Sequence, residues 1–510
     1  MRLTWLFLLA AAVVANPSVY QVTGPEADQV LVSATQDSND EVIVYFNVTE
    51  TMCTENHFLF QYPSTVRLIG LGSSETTLRE CYFYFIRDAG DGQFEARGFD
   101  VIDLLYTNGA NNPFLIVADH ATFTDVSFSN FSTVALADLT TNEAEFINCS
   151  YSNGPFREAI EGPQILVWLH SGVLLMDGWT TDFLDWYGYG VWADGDDSAS
   201  VTVRNSHLTG ISLGILVSGN GQNQLHVYDT HFTNFSAVDY GGSWFLAAVG
   251  SETLIENCTF SDSMVYFAFE SYTGGNFVSR NNIWSNVSAL YDGVSLLYLA
   301  VSNWSSIMIN LLKTSFLSYN ESFINCSGSI WNPSSNERTG SVIDSVKVIN
   351  HNNPHRESTG VHIKNSLFQN IVNINTGVIQ IAPVGNIYRS YMVTNCTFID
   401  VLSWQGDTIV LCGLTIEGTV SAKGFLGNLT IDGSSFIRTQ SLHNGGAIMI
   451  SSEAGTILIN NTQFINCTAS GNGGIAYLKI NRPSSNEIPF HSLTVVNVTL
   501  HGNSAGDSGG

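Results

Sequence analysis

The sequence predicts an all-β chain wound as a right-handed parallel β-helix, and three observations predict it. A short frame recurs, as in Ile459-Asn460-Asn461-Thr462-Gln463-Phe464-Ile465-Asn466-Cys467, where a large apolar residue stands between residues that favour backbone bends. Charged residues make up only 12% of the chain and hydrophobic residues 44%, which suits a large core and argues against long solvated helices. Glycines stand nine residues past several apolar positions, at Gly241-Gly242, Gly293, Gly377, Gly445-Gly446, Gly473-Gly474 and Gly509-Gly510. A fixed offset requires one coil geometry used repeatedly, and repeats of about 20 to 45 residues are the signature of a solenoid.

Residues 1–15 carry Arg2, an apolar run from Leu3 to Val14 and small residues up to Ala15, the layout of a cleaved secretory signal. No later apolar stretch reaches the roughly 18 residues a spanning helix needs, so no membrane insertion is expected within this chain. Residues 16–110 lack the frame; strand-like runs such as Val42 to Phe46, Val66 to Gly72 and Cys81 to Phe85 read as an N-terminal cap and first coils. Residues 111–510 read as β-helix repeats. Because Gly509-Gly510 falls in mid-coil, the chain is expected to continue beyond Gly510.

Twelve apolar anchors define the coils: Phe128, Phe146, Leu208, Phe232, Phe260, Trp284, Phe323, Phe368, Phe398, Phe436, Phe464 and Leu500. The 62-residue interval from Phe146 to Leu208 requires unmarked coils. Three residues before the anchors stand Asp125, Asn205, Asp229, Asn257, Asn281, Asn320, Asn365, Asn395, Asn461 and Asn497, with Glu143 and Gly433 as exceptions. Two residues after them stand Asn130, Asn148, Asn234, Asp262, Asn286, Asn325, Asn370, Asp400 and Asn466, with Gly210, Gly502 and Arg438 in the remaining places. Asn, Asp and Gly tolerate the left-handed backbone, and Asn amides can hydrogen-bond along a stack. Each anchor is thus expected on a short strand between two bends, its side chain in an interior column.

The frame Ile-x-Asn-small-x-Phe-x-Asn resembles the parallel β-helix repeat of the pectate-lyase-like superfamily, over about residues 110 to 510. Phe464-Ile465-Asn466-Cys467 followed by Gly473-Gly474-Ile475-Ala476 resembles the repeats of polymorphic outer-membrane proteins, although that family's Phe-x-x-Asn is Phe-x-Asn here. The second resemblance implies a secreted or surface, adhesin-like protein.

Catalysis rests on carboxylates. Thr181-Asp182 and Gly195-Asp196-Asp197 resemble motifs of polygalacturonases, which occupy this fold, and the resemblance names Asp182, Asp196 and Asp197 as candidate catalytic acids of a polysaccharide hydrolase or lyase. An inverting glycosidase needs two carboxyl groups about 6.5 to 9.5 Å apart, which neighbouring coils can supply. The family's Gly-His-Gly is missing and its Arg-Ile-Lys is echoed only by His362-Ile363-Lys364. Solvated loop acids are the commoner origin of such a cluster. Gly506-Asp507-Ser508-Gly509-Gly510 matches a serine-protease nucleophile motif, yet its terminal glycines fall on the nine-residue offset. Trp179, Trp186, Trp192, Trp244 and Trp304 would stack on sugars if exposed, although aromatics in such repeats more often fill the core.

Cysteines in the frame read as small buried packing residues, since partners several coils apart exceed the roughly 7 Å reach of a disulfide. Cys53 with Cys81 and Cys396 with Cys412 remain as candidate pairs in an oxidising compartment. Asn47, Asn303, Asn428 and Asn460 are the sequon asparagines outside the bend positions and are the candidate glycan acceptors. No cofactor is implied; the acidic composition is compatible with Ca2+, but no EF-hand spacing or His-Glu-x-x-His assigns a metal site. Eighteen Lys plus Arg against 45 Asp plus Glu leave a net charge of −27, which repels nucleic acid and anionic headgroups. The expected function is a non-catalytic surface or extracellular scaffold for adhesion, binding glycans or surface proteins, with long insertions between anchors as binding loops. A polysaccharide hydrolase or lyase is the alternative.

Overall fold

The chain is a parallel β-solenoid. A computed structural model describes residues 17–25, 27–53, 57–87, 92–105, 112–152, 164–194, 198–218, 223–235, 244–249, 251–265, 267–272, 277–289, 297–300, 316–328, 343–349, 361–373, 379–384, 389–403, 414–416, 425–442, 444–480 and 491–509. One coil shows the plan: strand Asn223–Tyr228 ends at left-handed Asp229, the short strand His231–Thr233 ends at left-handed Asn234, and strand Trp244–Val249 follows. The next coil stacks on it in parallel register, with Val227 on Ile255, Phe232 on Phe260 and Leu246 on Phe269. Three parallel sheets therefore run along the molecule, called here the first, second and third in chain order. Their backbone hydrogen bonds join coil to coil, while alternation within each strand sends every second side chain inward.

The stacking begins at Ser18–Val22, whose Ser18 pairs with Val42. The helix Asp28–Thr35 follows and buries Leu31 and Ala34. The bend frame already operates here: Gly98 (φ 69°) and Asp103 (φ 59°) flank Val101, and Glu80 (φ 54°) follows Leu78. The first coils expected here thus share the frame, with Gly, Asp and Glu at the bends and Val and Leu as anchors.

In the second sheet one interior column runs Thr51, Leu78, Val101, Phe128, Tyr151, Thr181, Leu208, Phe232, Phe260, Trp284, Phe323, Phe368, Phe398, Phe436, Phe464 and Leu500. Eleven of the twelve expected anchors lie in it. Phe146 does not: it belongs to the first sheet, between Phe123 and Met176, and Tyr151 takes its place. Thr181 is the coil unmarked in the long interval. Its small side chain is matched by Trp179 two residues earlier, which is fully buried and meets Tyr151 edge-on at 6.0 Å. From Phe232 to Phe464 the rings pile nearly parallel, at centroid spacings from 4.0 Å for Phe260–Trp284 to 5.6 Å for Trp284–Phe323. Each stacked pair adds about 0.5–1.5 kcal/mol to the gain from burial.

Every Asn and Asp expected at a bend has φ between 46° and 58°, and Gly210, Gly433, Gly502 and Arg438 are left-handed too. Glu143 is the exception and lies inside the strand Ala135–Ile147. Asn148 is left-handed at 53° but precedes Tyr151 by three residues, so it marks the first bend of its coil, not the second. Along the stack the amides form ladders: Asn325 Nδ2 donates to Asn286 Oδ1 at 3.2 Å, and Asn370 Nδ2 to Asn325 Oδ1 at 3.0 Å. At Arg438 the ladder continues by charge, its Nη2 donating to Asp400 Oδ2 at 2.8 Å. The offset glycines Gly445, Gly473 and Gly509 share φ of 69–77°, and a Cβ on Gly446 would lie 1.9 Å from the Gly474 carbonyl oxygen of the next coil. Gly241, Gly242, Gly293, Gly377 and Gly510 lie outside the described residues.

Cys53 and Cys81, on adjacent coils, form a disulfide with Cα atoms 5.1 Å apart. Cys149, Cys258, Cys326, Cys396 and Cys467 are buried free thiols whose Sγ atoms lie near backbone carbonyls, such as Val227 O at 3.7 Å from Cys258. Of the other candidate pair, Cys396 is a buried free thiol, and Cys412 lies outside the described residues. Burial pushes the Cys149, Cys258 and Cys326 thiols up to about 12.

Candidate functional site

Among the described residues, the third sheet carries a polar cluster on the outside of the solenoid. In the strand Ala135–Ile147, Ala137 and Leu139 face inward, so alternation puts Asp138 outside. Register then stacks Trp168 of Gln164–Asp177 on Asp138, and Trp192 of Thr180–Ala193 on Trp168.

His170 reaches the site by an irregularity. Leu139 pairs with Leu169 and Thr140 with Ser171, so His170 is the extra residue of a β-bulge. A bulge re-aims its side chain, and here the imidazole turns toward the carboxylates on either side. His170 Nε2 lies 2.8 Å from Asp138 Oδ1, and Nδ1 lies 3.7 Å from Asp194 Oδ1. Gly172 permits the bulge: its φ is 98°, and a Cβ there would lie 2.0 Å from the Thr141 carbonyl oxygen.

Further contacts hold the acids in place. Asn112 Nδ2 donates to Asp138 Oδ2 at 2.5 Å while its Oδ1 accepts the Ala135 N–H at 3.2 Å. Trp168 Nε1 donates to Asp194 Oδ1 at 2.8 Å. The rings of His170, Trp168, Trp192 and Tyr189 form one pile, with centroid spacings of 4.7, 5.5 and 4.9 Å. Side-chain exposure is 37% for His170, 27% for Asp194 and 14% for Asp138, so solvent meets the imidazole more than the acids. The hydrogen bond that Asp138 accepts raises the His170 pKa above its ordinary value against the opposing effect of burial, and the charges of both acids add to the rise.

This arrangement can engage hydroxyl and amide groups through the open side of the cluster. Glycoside cleavage by two carboxyls needs one of them with a raised pKa, and here the His170 ring lies between the pair, 2.8 Å from Asp138 and 3.7 Å from Asp194. A raised-pKa acid does exist in Glu321, pushed up to about 7 by burial, but at 1% exposure it is sealed from any polymer.

The sequence candidates lie elsewhere. Asp182 is exposed on the second sheet, paired across to Ser152 and Thr209, and is not part of the cluster. Asp196 and Asp197 lie outside the described residues, as do Trp304 and the side chains of Trp186 and Trp244. Trp179 is core. Of the aromatics singled out from sequence, Trp192 enters the cluster. Asn47 and Asn428 are exposed; Asn460 is half-buried and its Nδ2 donates to Asp432 Oδ1 at 3.0 Å; Asn303 lies outside the described residues. The Gly506 to Gly509 motif is coil structure: Gly506 N–H donates to Ala469 O at 2.9 Å and Ser508 Oγ to Asn472 Oδ1 at 2.5 Å. Among the described residues no group of three or more His, Cys, Asp or Glu is arranged to hold a metal ion, and no helix is long and apolar enough to cross a membrane.

No protein-family model and no curated protein matches the chain. Among solved structures it is similar to the catalytic unit of a thermostable GH87 α-1,3-glucanase from Streptomyces thermodiastaticus, at 13% identity and a TM-score of 0.30, covering 97% of this chain and 67% of that one. It is also similar to PfbA, a surface adhesin of Streptococcus pneumoniae, at 11% identity and a TM-score of 0.32, covering 88% and 87%. A third likeness is to the PL6 family alginate lyase AlyGC, at 11% identity and a TM-score of 0.25, covering 95% and 80%. Similarity of this degree assigns no activity to the chain.

Proposed function

We propose that the protein is a non-catalytic binding scaffold, secreted or held at a cell surface, that engages glycans or surface proteins through the outward face of its third sheet. The observation that supports this reading is the His170 ring lodged between Asp138 and Asp194, which leaves a partly exposed polar surface whose two carboxylates are already engaged. With a net charge of −27 and two carboxylates in the cluster, neutral hydroxyl-rich partners suit it better than uronic acid polymers. A glycan array and a reducing-sugar assay on the same preparation test the reading. Binding that weakens at least about tenfold in Asp138→Asn, without sugar release, supports it. Turnover that disappears in the same variant would establish the hydrolase alternative.

A further inference from the structure

The interior column two residues before the anchors carries Ser206, Thr230, Cys258, Asn282, Glu321, Ser366, Cys396, Ser434 and Thr462, all buried. Glu321 is the one ionisable carboxyl in it. Its side chain lies deep in the stack at 1% exposure.

The donors around it are neutral. Ser279 Oγ and Asn282 Nδ2, on the coil before, donate to Oε1 at 2.8 and 3.0 Å, and Trp284 Nε1 of the same coil donates to Oε2 at 2.9 Å. From the coil after, Ser366 turns its Oγ toward the Glu321 backbone N–H at 3.4 Å. Cys258, two coils back, and Cys396, two coils on, are the other titratable groups among these column residues, and burial keeps both as neutral thiols. Among the described residues, no cation is a hydrogen-bond or ion-pair partner of Glu321.

A carboxylate taken out of water without a counter-ion is strongly disfavoured, and dipoles alone offset only part of that loss. The three donors can hold the carboxylate, and the neutral acid can turn its O–H toward Ser279 Oγ, a hydroxyl that accepts as well as donates. We propose that Glu321 is a proton-sensitive element of the core, folded in as the neutral acid and destabilising its coil when it ionises.

The direction follows from linkage. In an unfolded chain Glu321 titrates near the ordinary carboxylate range, and burial raises its folded value to about 7. The folded state therefore binds the extra proton between these values, so stability is greatest at the acid side, falls as pH rises through the window and levels off above the folded value. One proton of difference changes the folded-to-unfolded ratio about tenfold per pH unit.

The test compares denaturant unfolding of the full chain with that of Glu321→Gln between pH 5 and pH 8. The expected result is that the stability of the native protein relative to the variant falls with pH, close to tenfold per unit at the steepest part. A difference between the two that does not change with pH would overturn the proposal. If Glu321→Gln does not fold, Glu321→Asn replaces it, Asn being the residue the same column carries at position 282. Infrared spectroscopy of the native protein gives an independent reading without any variant. A buried protonated-carboxyl band should persist at pH 6 and disappear by pH 8, and its absence at pH 6 would also overturn the proposal.

Discussion

His170 is held by two carboxylates and a bulge, and its titration should be visible in solution. Because Asp138 raises its pKa in the fold, its stabilising contribution is fully present below the ordinary histidine pKa and is lost as pH rises through the raised folded value. With the ring 37% exposed, solvent screening keeps this to well under about 1 kcal/mol. An NMR titration should give His170 an apparent pKa above that of a free histidine, and Asp138→Asn should return it toward that value. Gly172→Ala is a harsher change: it forces a side chain into the left-handed region and against a backbone oxygen, and should cost about 2 kcal/mol or more in urea unfolding.

Within a coil, the anchor and its bends divide the work of specifying structure. Phe398 stacks on Phe368 at 4.8 Å and on Phe436 at 4.6 Å, so Phe398→Ala removes two ring contacts and leaves a cavity, for an expected loss of about 3–5 kcal/mol. Asn365 separates two other contributions, being left-handed at 51° and bonded through its amide to both Asn320 and Asn395. Asn365→Ala loses the amide ladder and adds roughly 1–2 kcal/mol of backbone strain, whereas Asn365→Gly loses the ladder alone. The glycine variant should therefore unfold at higher denaturant than the alanine variant; equal midpoints would mean that the bend residue matters only through its side chain. These positions were readable from sequence because left-handed φ restricts the residue types strongly. Phe146 was misplaced because it is also a large buried ring near an Asn, and only pairing with Phe123 shows that it belongs to the first sheet. Thr181 went unseen because Trp179 supplies the volume from a neighbouring position.

At the scale of the whole molecule, each coil touches only its neighbours, so stability should be distributed along the stack instead of concentrated in one nucleus. Hydrogen exchange should show the amides of the second sheet around Phe368 to Phe436, bonded to a coil on each side, among the most protected of the chain. The cluster at Asp138, His170 and Asp194 was hidden from sequence reading for a related reason. Its members sit 24 and 32 residues apart, and a one-residue bulge that no periodicity announces brings them together. Trp192 is among the tryptophans singled out from sequence and Trp168 is not, and their stacking depends on a register that only the coils themselves define.

The sheets bond coil to coil, not along the order of synthesis, and this separates covalent continuity from mechanical continuity. Between the coils of Phe323 and Phe368, one peptide connection accompanies ladders in all three sheets. A protease cut in that connection would sever the chain yet leave the hydrogen bonds and the ring pile that join the two parts. Nicked protein should thus migrate as one particle under native conditions and as two fragments after denaturation.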